Sequence, residues 1–127
     1  MFIIINFLLL KILLLFYFIM KIYIDIDNTI FNLNSHNLDY SSAIPNKDLI
    51  NIANDLYKSG LHTIVYWTAR GTKSKIDYYQ LTKSQLDSAG VLYHDLIMGK
   101  PDYDLLIDDK TLNNLLLLKN IKSIFNI

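Results

Sequence analysis

Apolar and polar positions along this chain alternate with two different periods, which predict strands and helices in turn. The runs "KIYIDI" (21–26) and "HTIVYW" (62–67) are typical of strands. The second run is uninterrupted and β-branched, which suits burial on both faces of a sheet. Between them, residues 46–59 have apolar positions at helical spacing. The polar stretch 28–45, rich in Asn and Ser, predicts a loop or a small hairpin.

The signals for the ends of the helices can be identified as well. Asn46 is a plausible N-cap for the first helix, and Gly60 follows its end as a stop. After the second strand a helical region is expected in two pieces. Thr82 and Gln85 have the spacing of a capping box, which predicts that the second piece begins there, and Gly90 predicts its end.

Strand patterns return in the last third of the chain. The run 92–98 ("LYHDLIM") contains a short third strand, and 103–108 ("YDLLID") predicts a fourth. Thr111 can cap a following helix, and 122–127 predicts a last strand. Strands that alternate with helices indicate a parallel sheet with right-handed crossovers. The fold class expected is therefore α/β: a Rossmann-like three-layer sandwich with a central parallel sheet.

The first twenty residues, "MFIIINFLLLKILLLFYFIM", are almost entirely apolar and differ from the rest. Their length fits a transmembrane anchor. The other interpretation is a dispensable or spurious extension, with translation starting at Met20. We favour the second, because a core strand begins at about Lys21 without a linker and Lys11 at mid-bilayer would cost about 3 kcal/mol. The expected division is an apolar leader, 1–19, and a domain, 20–127.

Composition narrows the function classes. The 127 residues carry twelve acidic and twelve basic side chains, so no polybasic face for nucleic acid is expected. The chain has no cysteine, which excludes disulfides, zinc-thiolate sites and cysteine catalysis. This composition is compatible with a reducing, cytoplasmic setting. A membrane-anchored protein is the alternative if residues 1–19 are expressed.

Chemically active side chains collect where the predicted strands end. In an open α/β sheet these ends share one edge, where ligands bind. The residues concerned follow the four strands in the order Asp25 and Asp27, then Thr68 and Arg70, then Lys100, then Asp108 and Asp109.

Such a cluster of carboxylates needs a cation, because like charges repel and raise one another's pKa. Oxygen ligands without His or Cys favour Mg²⁺, which binds a few carboxylates together with a substrate phosphate. Thr68 and Lys100 can donate hydrogen bonds to phosphate oxygens. One carboxylate could attack phosphorus, and a second could protonate the leaving oxygen. The pattern therefore predicts phosphoryl transfer.

Over residues 20–127 the chain resembles the haloacid dehalogenase (HAD) superfamily of phosphohydrolases. The motifs that carry the resemblance are "DIDNT" (25–29), "IVYWT" ending in Thr68, Lys100 before Pro101, and the acid pair Asp108-Asp109. The stretches "TARG" and "GKPDYDLLIDDK" are also similar to the small HAD proteins of capsular polysaccharide biosynthesis. Asn28 departs from the glycine often found at its position.

The resemblance implies a role for each residue. Asp25 would be the nucleophile and a Mg²⁺ ligand, and Asp27 the general acid and base, facing the metal through its carbonyl. Thr68 and Lys100 would hold the phosphoryl group. Asp108 and Asp109 would complete the metal site, with the division between them left open. Arg70 has two interpretations, a contact to the substrate phosphate or a salt bridge to an acid of the loop.

The missing cap domain bears on the substrate. The segment between Thr29 and the first helix has room for a flap but not for a cap, so the site suits larger substrates or closure by a second subunit in a homo-oligomer. A sugar phosphate is the expected substrate, with nucleotide or nucleic-acid phosphate ends as the alternative. A non-catalytic HAD-like module that binds Mg²⁺ or a phosphoprotein is a further hypothesis. A receiver domain fits less well, because there the paired acids precede the phosphoacceptor.

Overall fold

A three-stranded parallel sheet forms the centre of the fold in this computed structural model, which describes residues 19–34 and 39–113. Its strands are β1 (Lys21–Ile24), β4 (Thr63–Trp67) and β5 (Asp95–Ile97), in that order across the sheet. This arrangement confirms the predicted α/β class with a central parallel sheet. In chain order the elements are β1 (Lys21–Ile24), β2 (Phe31–Asn32), a 3-10 helix (Tyr40–Ser42), β3 (Ile44–Pro45), α1 (Lys47–Lys58), β4 (Thr63–Trp67), α2 (Tyr79–Ser88) and β5 (Asp95–Ile97).

Both helices pack on one face of this sheet. The strands β1, β4 and β5 follow one another in space as they do along the chain, and right-handed crossovers then place α1 and α2 on the same side. The hydrophobic core agrees, because it joins Leu56 of α1 and Leu86 of α2 to Ile64 and Tyr66 of β4. The opposite face is more open at β1, where Tyr23 is 48% exposed.

The polar stretch after β1 forms the small hairpin that its sequence allows. β2 and β3 pair antiparallel, with Phe31 opposite Pro45 and Asn32 opposite Ile44. Residues 35–38, near the middle of this stretch, lie outside the described part of the chain. The hairpin and the 3-10 helix together make a flap beside the carboxyl ends of the parallel strands, and no cap domain is found among residues 19–34 and 39–113.

Helix α1 has the predicted cap and the predicted buried face. The side chain of Asn46 accepts a hydrogen bond from the amide of Leu49 at 3.4 Å. Leu49, Ile50, Ala53 and Leu56 are buried, as the periodicity predicts. Asp48 in the first turn and Lys58 in the last also complement the helix dipole.

We expect Asn46→Ala to lower the free energy of unfolding by about 0.5–1 kcal/mol, because the substitution removes the acceptor for an otherwise unpaired amide. Chemical denaturation of the full chain measures this loss. Asn46→Asp keeps the acceptor and serves as the matched control, with stability close to wild type. Equal stability of the Ala variant and wild type would contradict the assigned cap.

Helix α2 begins earlier than its sequence suggests. Its first residue is Tyr79, so Thr82 lies inside the helix and the predicted capping box with Gln85 is wrong. Thr82 donates its hydroxyl to the carbonyl of Tyr78, one turn back. The helix ends at Ser88, and Gly90 follows with φ +71°, which confirms the predicted stop.

The segment 103–108 does not form the predicted fourth strand. It has no strand partner among the described residues, and Leu105 and Ile107 are 76% and 89% exposed. The aliphatic pattern is typical of a strand, but strand formation depends on pairing and on burial of one face. The predicted helix and strand after Thr111 fall mostly on residues 114–127, outside the described part.

Within residues 19–34 and 39–113, no helix combines the length and the apolar character needed to cross a membrane. Residues 1–18, which carry almost all of the apolar leader, lie outside the described residues. Both interpretations of the leader therefore stay predictions.

Candidate active site

The turn after β1 presents Asp25 and Asp27 at the carboxyl edge of the sheet. The carbonyl of Ile26 accepts hydrogen bonds from the amides of Thr29, Ile30 and Phe31, at 3.0–3.1 Å, which closes the turn tightly. Asn28 has φ +59°, in the left-handed region that Asn tolerates better than most residues. Asn28 is therefore compatible with a turn conformation that glycine adopts readily.

Asp25 is held by two donors at the surface of this edge. Thr29 donates its hydroxyl to Oδ2 at 3.0 Å, and the ammonium of Lys100 contacts Oδ1 at 3.1 Å. The side chain of Asp25 is 36% exposed, whereas that of Lys100 is only 12% exposed. Asp25 is therefore oriented and charge-paired but still open to a ligand from solvent.

Lys100 reaches Asp25 because the loop after β5 is fixed to the end of β4. Its amide donates to the carbonyl of Thr68 at 3.0 Å, and its carbonyl accepts the hydroxyl of Thr72 at 2.7 Å. Its ammonium lies between Trp67 and Tyr103, 5.5 and 5.4 Å from the ring centroids. Burial lowers the pKa of Lys100, but Asp25 and Tyr103 raise it, and the net pKa lies above its usual value. Lys100 is therefore a fixed positive charge.

Thr68 occupies the end of β4 and is almost fully buried. Its amide donates to the carbonyl of Ile97 at 3.1 Å, which continues the pairing of β4 with β5. Its hydroxyl oxygen accepts the amide of Arg70 at 3.1 Å. No described group accepts the hydroxyl hydrogen of Thr68, so this hydrogen can be donated to a ligand.

Arg70 forms a salt bridge with Asp27, which is the second of its two predicted roles. Its Nη2 and Nε contact Oδ1 and Oδ2 of Asp27 at 2.6 and 2.8 Å. The guanidinium is fully buried against Asp27, and a contact of Arg70 with the substrate phosphate stays a prediction. Such two-pronged pairing suits the planar fork of arginine. With Lys100 on Asp25 and Arg70 on Asp27, each carboxylate has its own cation.

The structure does not bring Asp108 and Asp109 to this cluster. Both lie in the exposed segment that does not form a strand, and Asp108 accepts a hydrogen bond from the nearby amide of Lys110. A strand at 103–108 would have delivered them to the same edge as Asp25, and without it they stay apart. The predicted meeting of Asp108 and Asp109 with Asp25 and Asp27 is not found among the described residues.

The side chains as placed do not make a magnesium site. No group of three His, Asp or Glu side chains that could hold a metal ion is found in residues 19–34 and 39–113. Both oxygens of Asp25 accept bonds from protein donors, and so do both oxygens of Asp27. Each of these oxygens keeps a second lone pair, and Mg²⁺ stays a prediction from the sequence.

Sequence reasoning missed three residues of the site. Thr82 and Gln85 on α2 accept hydrogen bonds from Nη1 of Arg70 at 3.2 and 2.6 Å, and the ring of Tyr40 lies 4.7 Å from the guanidinium carbon. The spacing of Thr82 and Gln85 was visible as a capping box. The same spacing also places two polar side chains on one face of a helix, which could have indicated a buried charge beside it.

The chain was also compared with known proteins. No protein-family profile and no curated protein matches it. A crystal structure of a structural-genomics target from Vibrio cholerae is similar, with a TM-score of 0.69 and 24% sequence identity. The match covers 84% of this chain and 96% of that protein, which carries no functional name. This likeness shows the fold, and the function must be argued from the site.

Proposed function

We propose that this chain is a phosphomonoesterase of the HAD type, with Asp25 as the nucleophile. The contact of Asp25 with Lys100, at 3.1 Å at the carboxyl edge of a parallel sheet, carries the proposal. A carboxylate attacks a phosphate anion only where positive charge offsets the repulsion between them, and Lys100 is that charge. Asp27 lies two residues later in the same turn, at the same edge of the sheet, and can exchange protons with the substrate.

The reaction has two steps that the residues can carry out. Asp27 is protonated at the start. An oxygen of Asp25 forms a bond to phosphorus while the ester oxygen leaves, and the leaving oxygen takes the proton of Asp27 to become an alcohol. A water molecule then attacks the phosphorus of the aspartyl-phosphate and gives a proton to Asp27. Inorganic phosphate leaves, and both carboxyl groups return to their starting states. Lys100 and the hydroxyl hydrogen of Thr68 hold the phosphoryl oxygens in both steps.

Hydrolysis of 4-nitrophenyl phosphate by the purified full-length chain tests this proposal. We expect turnover with Mg²⁺ present and its loss with EDTA, because the resemblance to the HAD motifs implies that Asp25 and Asp27 bind this cation together with the substrate phosphate. Turnover that survives EDTA would contradict the predicted Mg²⁺ dependence but not the aspartyl-phosphate route. No turnover of any phosphate monoester, with a folded protein, would contradict the activity itself.

For the substrate we propose a sugar phosphate, and nucleotide or nucleic-acid phosphate ends as the alternative. The support is the resemblance of "TARG" and "GKPDYDLLIDDK" to small HAD proteins of polysaccharide biosynthesis. A panel of phosphorylated sugars and nucleotides distinguishes the two by kcat/KM. A cytoplasmic location is proposed with it, on the absence of cysteine.

A second candidate is a phosphate-binding module without turnover. It is favoured by the engagement of both Asp27 oxygens with Arg70 and by the absence, among the described residues, of a group of three acids that could hold a metal ion. Calorimetry with inorganic phosphate, taken together with the substrate panel, separates this module from an enzyme. Binding together with no hydrolysis across the panel would support the module, whereas turnover of any member would exclude it.

A further inference from the structure

The buried Arg70 joins the candidate active site to both the flap and helix α2. We infer that Arg70 is a positioning residue, which fixes the carboxylate of Asp27 for proton exchange and does not bind the substrate phosphate. The inference rests on the proposed phosphatase activity and assigns to Arg70 a role within it.

The first observation is the geometry of the pair. Nε and Nη2 of Arg70 each donate to a different oxygen of Asp27, at 2.8 and 2.6 Å. Two parallel bonds fix the plane of the carboxylate, which a single ammonium could not do. Asp27 is 18% exposed while the guanidinium is fully buried, so the outer side of the carboxylate still meets solvent. The salt bridge therefore fixes the orientation of the Asp27 carboxylate and leaves it accessible to solvent.

The second observation is what holds Arg70 itself. Nη1 donates to Gln85 Oε1 at 2.6 Å and to Thr82 Oγ1 at 3.2 Å. The ring of Tyr40 lies against the guanidinium at 4.7 Å, and Gln85 Nε2 donates to the Tyr40 carbonyl at 2.6 Å. All three guanidinium nitrogens therefore donate to protein acceptors, which leaves no free pair of donors for a phosphate. Gln85 also joins the flap to this arrangement.

The two roles of Arg70 predict different dependence on the leaving group. An alkoxide is a poor leaving group and needs the proton from Asp27, whereas 4-nitrophenolate leaves readily without it. Loss of a positioning residue should therefore impair alkyl phosphates selectively. Loss of a phosphate contact would impair both substrates alike and weaken inhibition by inorganic phosphate.

The test compares Arg70→Lys with wild type on glycerol phosphate and 4-nitrophenyl phosphate. We expect kcat on glycerol phosphate to fall by about 10²-fold and kcat on 4-nitrophenyl phosphate to change by less than about threefold. Inhibition by inorganic phosphate should stay within about twofold of wild type. In a variant that already carries Asp27→Asn, the Arg70 substitution should lower kcat hardly any further, because Arg70 acts through Asp27.

Gln85→Met is the second variant, since Arg70→Lys places a different cation in a buried site and could unfold the chain. This substitution removes one hydrogen-bond acceptor of Arg70 at nearly constant side-chain volume. We therefore expect a smaller loss of kcat, again on glycerol phosphate and not on 4-nitrophenyl phosphate. Lys83→Gln breaks the exposed pair with Asp87 on the same helix and is the matched control, with both activities unchanged.

The outcomes separate this inference from the activity on which it rests. Equal losses on both substrates, or weakened phosphate inhibition, in an active wild-type background would overturn the positioning role and return Arg70 to phosphate binding. A folded wild type that hydrolyses neither substrate would overturn the proposed function, and the positioning role with it. Selective loss in both Arg70→Lys and Gln85→Met, with Lys83→Gln unchanged, supports the inference.

Discussion

Asp25→Asn is expected to lower kcat for hydrolysis of 4-nitrophenyl phosphate by about 10³-fold or more. The amide cannot form the covalent bond to phosphorus, and its nitrogen cannot accept a hydrogen bond from Thr29 or Lys100. The fold should survive, because Asp25 is 36% exposed and its two contacts lie at the surface of the edge. Steady-state kinetics together with a thermal melt measure both effects.

Asp55→Asn is the matched control for this substitution. Asp55 is exposed on α1, away from the sheet edge, so the same change of charge there should leave kcat unaltered. A fully active Asp25→Asn variant would exclude Asp25 as the nucleophile. A variant that is inactive only because it is unfolded would be recognised in the melt.

The expected intermediate gives a direct chemical check of the same prediction. Borohydride reduces an aspartyl-phosphate to homoserine, so a quenched reaction should show this product at position 25 by peptide mass spectrometry. The product should be absent from Asp25→Asn and from wild type without substrate. Homoserine at position 27 would mean that the roles of Asp25 and Asp27 are exchanged.

Gly71→Ala is expected to destabilise the fold by at least about 2 kcal/mol, which for a domain of this size corresponds to roughly 10 °C in Tm. Gly71 follows Arg70 directly and has φ +80°, where a side chain is strained. A Cβ at this position would also collide with the backbone carbonyl of Ile76, which cannot turn aside like a side chain. The turn after β4 must therefore open, and Arg70 would move with it.

Gly90→Ala separates the cost of the positive φ from the cost of the collision with the Ile76 carbonyl. Gly90 has φ +71° but nothing within 4 Å of the position of a Cβ, so it carries only the conformational cost, about 1–2 kcal/mol. The difference in Tm between the two variants measures the collision with Ile76. Equal melting temperatures would mean that the close approach does not constrain this turn.

Local sequence signals were sufficient where one segment determined its own structure. The buried β-branched run of β4, the Asn46 cap and the Gly90 stop each depend on a few neighbouring residues, and the structure confirms all three. The position of Lys100 beside Asp25 also followed, because parallel strands deliver their ends to a common edge.

The interpretation failed where a distant partner decided the outcome. Residues 103–108 have the pattern of a strand, but pairing with another strand determines whether one forms, and a single sequence does not show that pairing. In the same way, Thr82 and Gln85 have the spacing of a cap, yet a buried guanidinium from the end of another strand takes up their oxygens. Arg70 itself had two possible partners, and only the fold decides between them.

The exposed run Leu105-Leu106-Ile107 bears on the self-association of the protein. An apolar run with strand propensity in contact with water can template pairing between chains. Asp104 stands on one side of it, and Asp108 and Asp109 stand on the other. Charges in these positions act as gatekeepers, because stacking identical segments would bring like charges together. We therefore expect these acids to lower the tendency of the protein to aggregate, independently of any ligand.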